Sequence, residues 1–329
     1  MLALCGLLWF LNALLMPKYM SDIPEGALIA EYYQEKTDHQ ILFAGDCEVY
    51  ENFSPDVLWT DYGISSYIRG SAQQLIWQSY YLLAEMLERE TPRVVVFNVL
   101  SMKYDTPQNE AYNRMSIDGM KWSKYKWGSI RASMTEEETA LSYVLPLLRY
   151  HSRWSELTRE DWTYLLKRDL LSDSGYLMNQ NVKPAENVPT GKPLADYRFG
   201  SVCYDYLDRM ADLCEEKGIQ LVLVKAPSLY PYWYDQWEEQ IEAYAEQRGL
   251  AYINFLELTE EIGIDYQTDT YDGGLHLNLS GAEKMSRWFG RWLTENCSVT
   301  DQRGREPYQS VWAGKHEAYQ ARKNGTDGN

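Results

Sequence analysis

Three residues of this chain have the types that acyl-transfer chemistry needs: a cysteine, a histidine and an aspartate. Cys47 lies in FAGDCEVYENFSP (43–55), where a short apolar run over 41–44 ends abruptly in Gly45-Asp46-Cys47-Glu48. A buried strand ends this way when it delivers a reactive side chain to its carboxyl edge. Asp272 and His276 lie in DGGLHLNLSGAEK (272–284). In acyl transfer a base takes the nucleophile's proton, an acid orients the base, and N–H donors hold the developing oxyanion. The thiolate is the reactive form of cysteine, and its ordinary pKa of about 8.5 rises beside anions. Asp46 and Glu48 therefore work against Cys47. The competing reading makes Cys47 a small, unreactive residue in a tight turn of a fold that binds without catalysing. His276 speaks for activity, because a binding site has no need of a base. Asp269 is the alternative orienting acid if Asp272 points away.

These residues need a scaffold, and the chain alternates strand-like and helix-like segments that supply one. Residues 41–44 predict a first strand and 64–68 a second, closed by Gly70. Residues 73–89 carry apolar side chains at helical spacing. RVVVFNVL (93–100) is a continuous β-branched run of the kind buried on both faces of a parallel sheet, with Asn98 near its end. From about 104 to 193 the rhythm breaks into a polar, Trp- and Tyr-rich insertion, predicted mostly helical from a Thr135 cap. The alternation resumes with a helix over 203–217, a strand in IQLVLVKAP, a helix over 235–248 and a strand in LAYINFLEL. A last helix over 280–295 takes Ser280 as N-cap, with Glu283 completing a capping box. This order implies α/β architecture: a mostly parallel sheet between two helical layers, whose ligands sit outside the carboxyl ends of the strands. The polar tail 301–329 is expected to fray.

The totals narrow the partners. Of 329 residues 45% are hydrophobic, enough for one large core with an insertion. A formal charge of −17 argues against nucleic acid or anionic lipid headgroups, since both need a cationic surface. Tyr and Trp number 27 and 12 against 7 Phe, a bias toward rings with a polar edge that suits sugar stacking as well as core. Tyr232 and Trp233, in SLYPYWYDQW after a strand, could stack on sugar rings or form an apolar lid. Arg149, His151, Arg153 and Trp154 form a polar-aromatic cluster in the insertion that could hold substrate; a solvated helix face is the alternative. The five cysteines lie far apart without a CxxC pair, so neither a zinc site nor a disulfide framework is indicated. Cys203 and Cys214 read as small core residues. His39 and His316 complete the set of four histidines.

Residues 2–16, LALCGLLWFLNALLM, are apolar apart from Asn12. A membrane-spanning helix wants about 20 apolar residues, so the run is short; a start site that clips the first turn would account for this. No basic residue precedes it and no small-x-small cleavage pattern follows. Residues 1–20 are therefore expected to be an uncleaved membrane anchor, with the main domain (21–300) outside the cytoplasm. A soluble core helix in a cytosolic lipase-like hydrolase is the alternative.

Together these blocks resemble the SGNH/GDSL hydrolase superfamily, in its extracytoplasmic, membrane-anchored branch of DltD-like and alginate-acetylation-like proteins. FAGDCEVYENFSP resembles the nucleophile block, IRGSAQQ the glycine block, FNVLS the asparagine block and DGGLHLNLSGAEK the closing Asp-His block. The match covers roughly 38–103 and 195–297. Two departures stand out: Cys47 occupies a position where the family usually has serine, and Asp272 and His276 are four apart rather than three. Gly273 and Gly274 could let the loop absorb the extra residue.

The resemblance implies a three-layer α/β/α sandwich, flavodoxin-like in its sheet. It also implies Cys47 as nucleophile, His276 as base, Asp272 as orienting acid, and an oxyanion hole from Gly70 N–H and the Asn98 side chain. Read singly, Gly70 could equally be a turn glycine and Asn98 a strand-end cap. No metal or organic cofactor is implied. The expected activity is ester hydrolysis or O-acyl transfer on cell-wall or exopolysaccharide hydroxyls, with a multi-pass membrane O-acyltransferase as a possible partner. The competing class is a non-catalytic carbohydrate-binding or scaffolding module of a polysaccharide-modifying complex.

Overall fold

A computed structural model describes residues 2–16, 27–166 and 170–325. It opens with helices α1 (Leu2–Leu15) and α2 (Ala27–Glu31), then β1 (Ile41–Gly45), a one-turn α3 (Cys47–Tyr50), α4 (Pro55–Tyr62) and β2 (Ser66–Gly70). After α5 (Ile76–Met86) and β3 (Val94–Asn98) the insertion contributes α6 (Glu110–Ile117), α7 (Lys124–Ser133), α8 (Ala140–Val144), α9 (Leu147–Tyr150) and α10 (Arg159–Leu166). The main fold returns with α11 (Ser201–Glu216), β4 (Gln220–Lys225), α12 (Asp235–Arg248) and β5 (Ala251–Asn254). It closes with α13 (Thr259–Ile262), α14 (Leu279–Asn296) and α15 (Tyr308–Lys323).

The five strands are all parallel, in the order β2-β1-β3-β4-β5. Successive side chains of a strand point to opposite faces, and both faces of this sheet are apolar. Leu42, Ala44, Val95, Phe97, Leu221 and Leu223 pack under α5, α11 and α12. Phe43, Ile68, Val94, Val96, Val222 and Val224 pack on the other side, under α4 and α14. There Phe43, Phe53, Phe255 and Phe289 make a four-ring cluster with centroids 4.9–6.2 Å apart; losing any one ring would cost about 3–5 kcal/mol. The chain leaves β1 for β2 on one side and returns to β3 on the other. That reversal opens a crevice beyond the carboxyl ends of β1 and β3, where Cys47 and Asn98 lie.

Several expectations are corrected. The second strand starts two residues later than predicted, at Ser66. The cap of α14 is Asn278, whose side chain accepts from Gly281 N–H, rather than Ser280. Thr139, not Thr135, precedes the insertion helix α8, and residues 171–199 contain no helix. The tail does not fray through 323: α15 buries Trp312 and Tyr319, seven residues apart on one face, with Trp312 stacked on Trp59 at 5.3 Å. The N-terminal helix has 14 residues, about 21 Å of rise, and no helix among the described residues is long and apolar enough to cross a membrane. Residues 17–20 of the expected anchor lie outside the described residues.

Candidate active site

Cys47 is placed by the end of β1. Gly45 pairs with Gly70 across the β1–β2 ladder, and a Cβ at Gly70 would come within 2.8 Å of the Gly45 carbonyl oxygen and 2.9 Å of Val49. Only glycine lets β2 approach this closely. Asp46 then caps α3, its carboxylate accepting from Glu48 N–H at 3.1 Å. Cys47 is thus the first residue of α3, where a helical N–H has no intrahelical acceptor.

His276 is held by a tightly bonded loop. An antiparallel bridge pairs Thr270 with Leu277, the Thr270 hydroxyl donates to His276 O at 2.7 Å, and Gly274 N–H donates to that hydroxyl at 2.8 Å. Asp272 Oδ1 accepts from the N–H groups of Leu275 and His276 at 3.1 and 2.9 Å. Its Oδ2 lies 2.7 Å from His276 Nδ1. The spacing of four is absorbed as expected: Gly273 and Gly274 take φ of +89° and +101°, a region that side chains disfavour. Asp269 is engaged elsewhere, with Lys284 at 2.6 Å and Asp265 N–H at 2.8 Å.

The three residues come together at the crevice. His276 Nε2 is buried and has no partner in hydrogen-bond geometry, while the Cys47 thiol lies near enough that each group shifts the other's proton affinity. Burial and then the Asp46 charge push the Cys47 thiol above its usual range, and His276 only partly offsets them. Burial also works against a charged His276. The Asp272 hydrogen bond, then the facing Cys47 thiol and the Glu51 charge, outweigh it, holding His276 well above an ordinary imidazole.

The two acids flanking Cys47 prove unequal. Glu48 is fully buried and paired with Lys225 Nζ at 2.9 and 3.1 Å, so its charge is compensated on the spot. Lys225 ends β4, and its third donor goes to Ala226 O at 2.6 Å. Asp46 has no such ion pair. Burial, then Glu48, lifts its carboxyl to about 6, with the Lys103 charge pulling the other way.

Asn98 is brought to the crevice, but its amide is spent. Nδ2 donates to Asp46 Oδ1 at 3.1 Å and to Glu48 Oε2 at 2.9 Å, and Oδ1 accepts from Ala226 N–H at 3.3 Å. A primary amide has two N–H donors, so Asn98 could reach an oxyanion only by leaving a carboxylate. The expected side-chain half of the hole is corrected on that ground.

The other expected contacts fall elsewhere. Trp233 is buried, donating to Glu238 at 2.6 Å and packing on Phe199 and Trp237. It is core, with no free face for a sugar. Tyr232 is exposed beside Tyr234 and Gly191. Arg149 pairs with Glu110, His151 bonds its own turn at Leu148 O, and Arg153 donates to Leu15 O and lies against Asp161. Trp154 is exposed. No hydrogen bond or ion pair among the described residues joins these four to Cys47 or His276.

Tyr271, Glu51, Asn52 and Lys225 were not expected in the site. Tyr271 stacks on His276 at 6.0 Å with its hydroxyl 3.4 Å from Nδ1. Asn52 Oδ1 accepts from Leu277 N–H at 2.8 Å, tying the histidine loop to the segment after α3. Glu51 is buried, which raises its carboxyl to about 7, moderated by His276 and a Tyr271 hydrogen bond. Asn52 and Glu51 sit within the quoted nucleophile block; nothing in the sequence around Lys225 set it apart from a surface lysine.

No protein-family model matches the chain, and no curated protein matches it in sequence. Among solved structures it is similar to a candidate acylhydrolase of Bacteroides fragilis, at 11% identity and TM-score 0.41, over 81% of this chain and 94% of that one. A GDSL-like lipase of Bacteroides thetaiotaomicron aligns at 13% identity and TM-score 0.38, over 82% and 99%. An acetyl xylan esterase of Butyrivibrio proteoclasticus aligns at 10% and 0.34, over 79% and 65%.

Proposed function

We propose that this chain is an acyl-ester hydrolase or O-acyltransferase of SGNH/GDSL type that works through a thioester on Cys47. The observation that carries the reading is the Asp272–His276 pair at 2.7 Å with the other imidazole nitrogen unbonded beside Cys47. His276 Nε2 takes the thiol proton while Asp272 holds Nδ1–H and orients the ring. The thiolate adds to the ester carbonyl carbon, and the oxyanion is received by backbone N–H at the start of α3 beside Gly70. The tetrahedral adduct collapses as the C–O bond breaks, and the departing alkoxide takes the proton from Nε2. Water or a sugar hydroxyl then gives its proton to His276 and attacks the thioester, releasing the acyl group and restoring the thiol.

Cell-wall or exopolysaccharide hydroxyls are the acceptors we favour, at the outer face of a membrane, with a multi-pass acyltransferase as possible acyl donor. The exposed Tyr232 is the remaining candidate for sugar contact. A second reading, a carbohydrate-binding module without turnover, is favoured by the raised thiol of Cys47 and the occupied Asn98 amide. Turnover of a p-nitrophenyl acetate or acetylated-xylan substrate by the wild type, absent in Cys47→Ala, supports the enzyme. Equal background rates for both proteins would leave the binding module.

A further inference from the structure

We propose that α1 and the outward faces of α8–α10 form one lipid-docking surface. The last turn of α1 is built into the body. Leu14 and Leu15 are buried, Asn12 Oδ1 accepts from Leu147 N–H at 2.7 Å, and Arg153 Nη1 donates to Leu15 O at 2.8 Å. The lone polar residue of the apolar run thus satisfies the start of α9. A guanidinium from the insertion meets the carbonyl end of α1, where a helix favours positive charge.

The first turns of α1 are different. Residues 3–10 are all exposed, with Leu4 60% and Trp9 69% accessible. At about 100° per residue, Leu4, Leu7, Leu8, Trp9 and Phe10 point to every quarter of the helix. A protein partner covers a stripe of a helix; an all-round apolar surface needs an all-round apolar medium.

The insertion continues this surface. α1 packs against α9, α10 and the turn between them, with Phe10 6.3 Å from Trp162. Leu141 and Val144 of α8 and Leu148 of α9 are exposed, while Tyr143 is buried. Here the apolar stripe faces outward. Trp154 at 72% and Leu166 at 92% exposure extend it. Tryptophan with arginine at such a rim is the composition of a membrane interface. Arg153 is thus the clamp between α1 and the insertion.

The test is flotation of the full chain with phosphatidylcholine vesicles. The wild type is expected to float. The triple variant Leu148→Ser/Trp154→Ser/Leu166→Ser, with α1 intact, should partition at least about tenfold more weakly, since it removes three large apolar side chains from the lipid-facing set. Its melting temperature and ester turnover should be unchanged, because all three side chains are exposed and none has a hydrogen bond or ion pair with Cys47 or His276. The three single variants give the graded form of the same test. Equal flotation of triple variant and wild type overturns the platform, as does a wild type that stays at the bottom. A wild type that forms a dimer insensitive to vesicles and lost in the triple variant would make the occupant a second copy instead, and overturns the lipid proposal.

Discussion

Two buried histidines sit at opposite ends of the same strand, each against carboxylates, and they serve different ends. His39, before β1, has both ring nitrogens engaged: Nδ1 at 3.1 Å from Glu90 and Nε2 at 3.2 Å from Glu35. Its own N–H donates to Glu90 at 2.6 Å, as does the Tyr32 hydroxyl. His276, beyond the other end of β1, has one nitrogen on Asp272 and the other unbonded beside a thiol. A histidine with both nitrogens satisfied has no proton to exchange without breaking structure. One whose second nitrogen faces a thiol can take that proton and return it without breaking structure. The open nitrogen, more than the carboxylate beside it, separates chemistry from scaffolding in this molecule.

Replacing each histidine in turn should split the two roles most widely. His276→Ala is expected to cut acylation of Cys47 by about 10²–10⁴-fold, the usual worth of a general base, with little change in melting temperature. His39→Ala should leave acylation intact but destabilise the fold by about 3–5 kcal/mol, because two carboxylates lose their buried partner. Denaturant titration and single-turnover acylation measured on both variants check the pair of outcomes.

Next in size is Lys225→Met, which leaves Glu48 charged, buried and unpaired. A loss of about 3–5 kcal/mol is expected, together with slower acylation as Asn98 and α3 lose their fixed partners. Lys225→Met/Glu48→Gln should recover most of the stability, which calorimetry would read directly.

Proton linkage separates the histidines again. Binding partners raise the folded-state affinity of His39 for its proton although burial opposes it. Its contribution to stability is therefore complete below the unfolded pKa of about 6.5 and is lost as pH rises through the folded value. Glu51 has the opposite chemistry and the same slope. Its folded pKa of about 7 lies above the ordinary 4.5, so stability falls as pH rises from 4.5 toward 7 and the full cost stands above that. Glu51→Gln should recover on the order of 2–3 kcal/mol at pH 8 and little at pH 4.

The smallest effect concerns Asp46. Cys47 and His276 both hold protons more tightly than usual, so the singly protonated pair that reacts forms on the alkaline side, and acylation should rise with pH through neutrality. Asp46→Asn keeps an N-cap but removes the second-ranked cause of the raised thiol. It should move that rise toward lower pH, read from iodoacetamide alkylation of Cys47 across pH.

The chemistry at the ends of β1 was legible unevenly. Cys47 after an apolar run and the Asp272-Gly-Gly-Leu-His276 loop announce themselves because glycine and polar types interrupt strong patterns. Lys225 does not: at the end of LVLVKAP it looks like a lysine emerging into solvent, and its partner Glu48 is 177 positions away. Asn98 was placed at the right edge, yet its bonding depends on where two carboxylates fall, which spacing does not encode. The tail was misread because polar composition outweighed Trp312 and Tyr319, whose separation of two turns was the available signal. The insertion, about 104–193, is expected to be mostly helical, and its last part, 171–193, lacks a helix.

The central claim is an acyl group on one sulfur, and a peptide map is the most direct measurement of it. After brief exposure to an activated acetyl ester and acid quench, the wild type should carry an acetyl thioester on Cys47, and His276→Ala should carry none. An unmodified Cys47 in the wild type, or the same adduct in both proteins, would contradict the account.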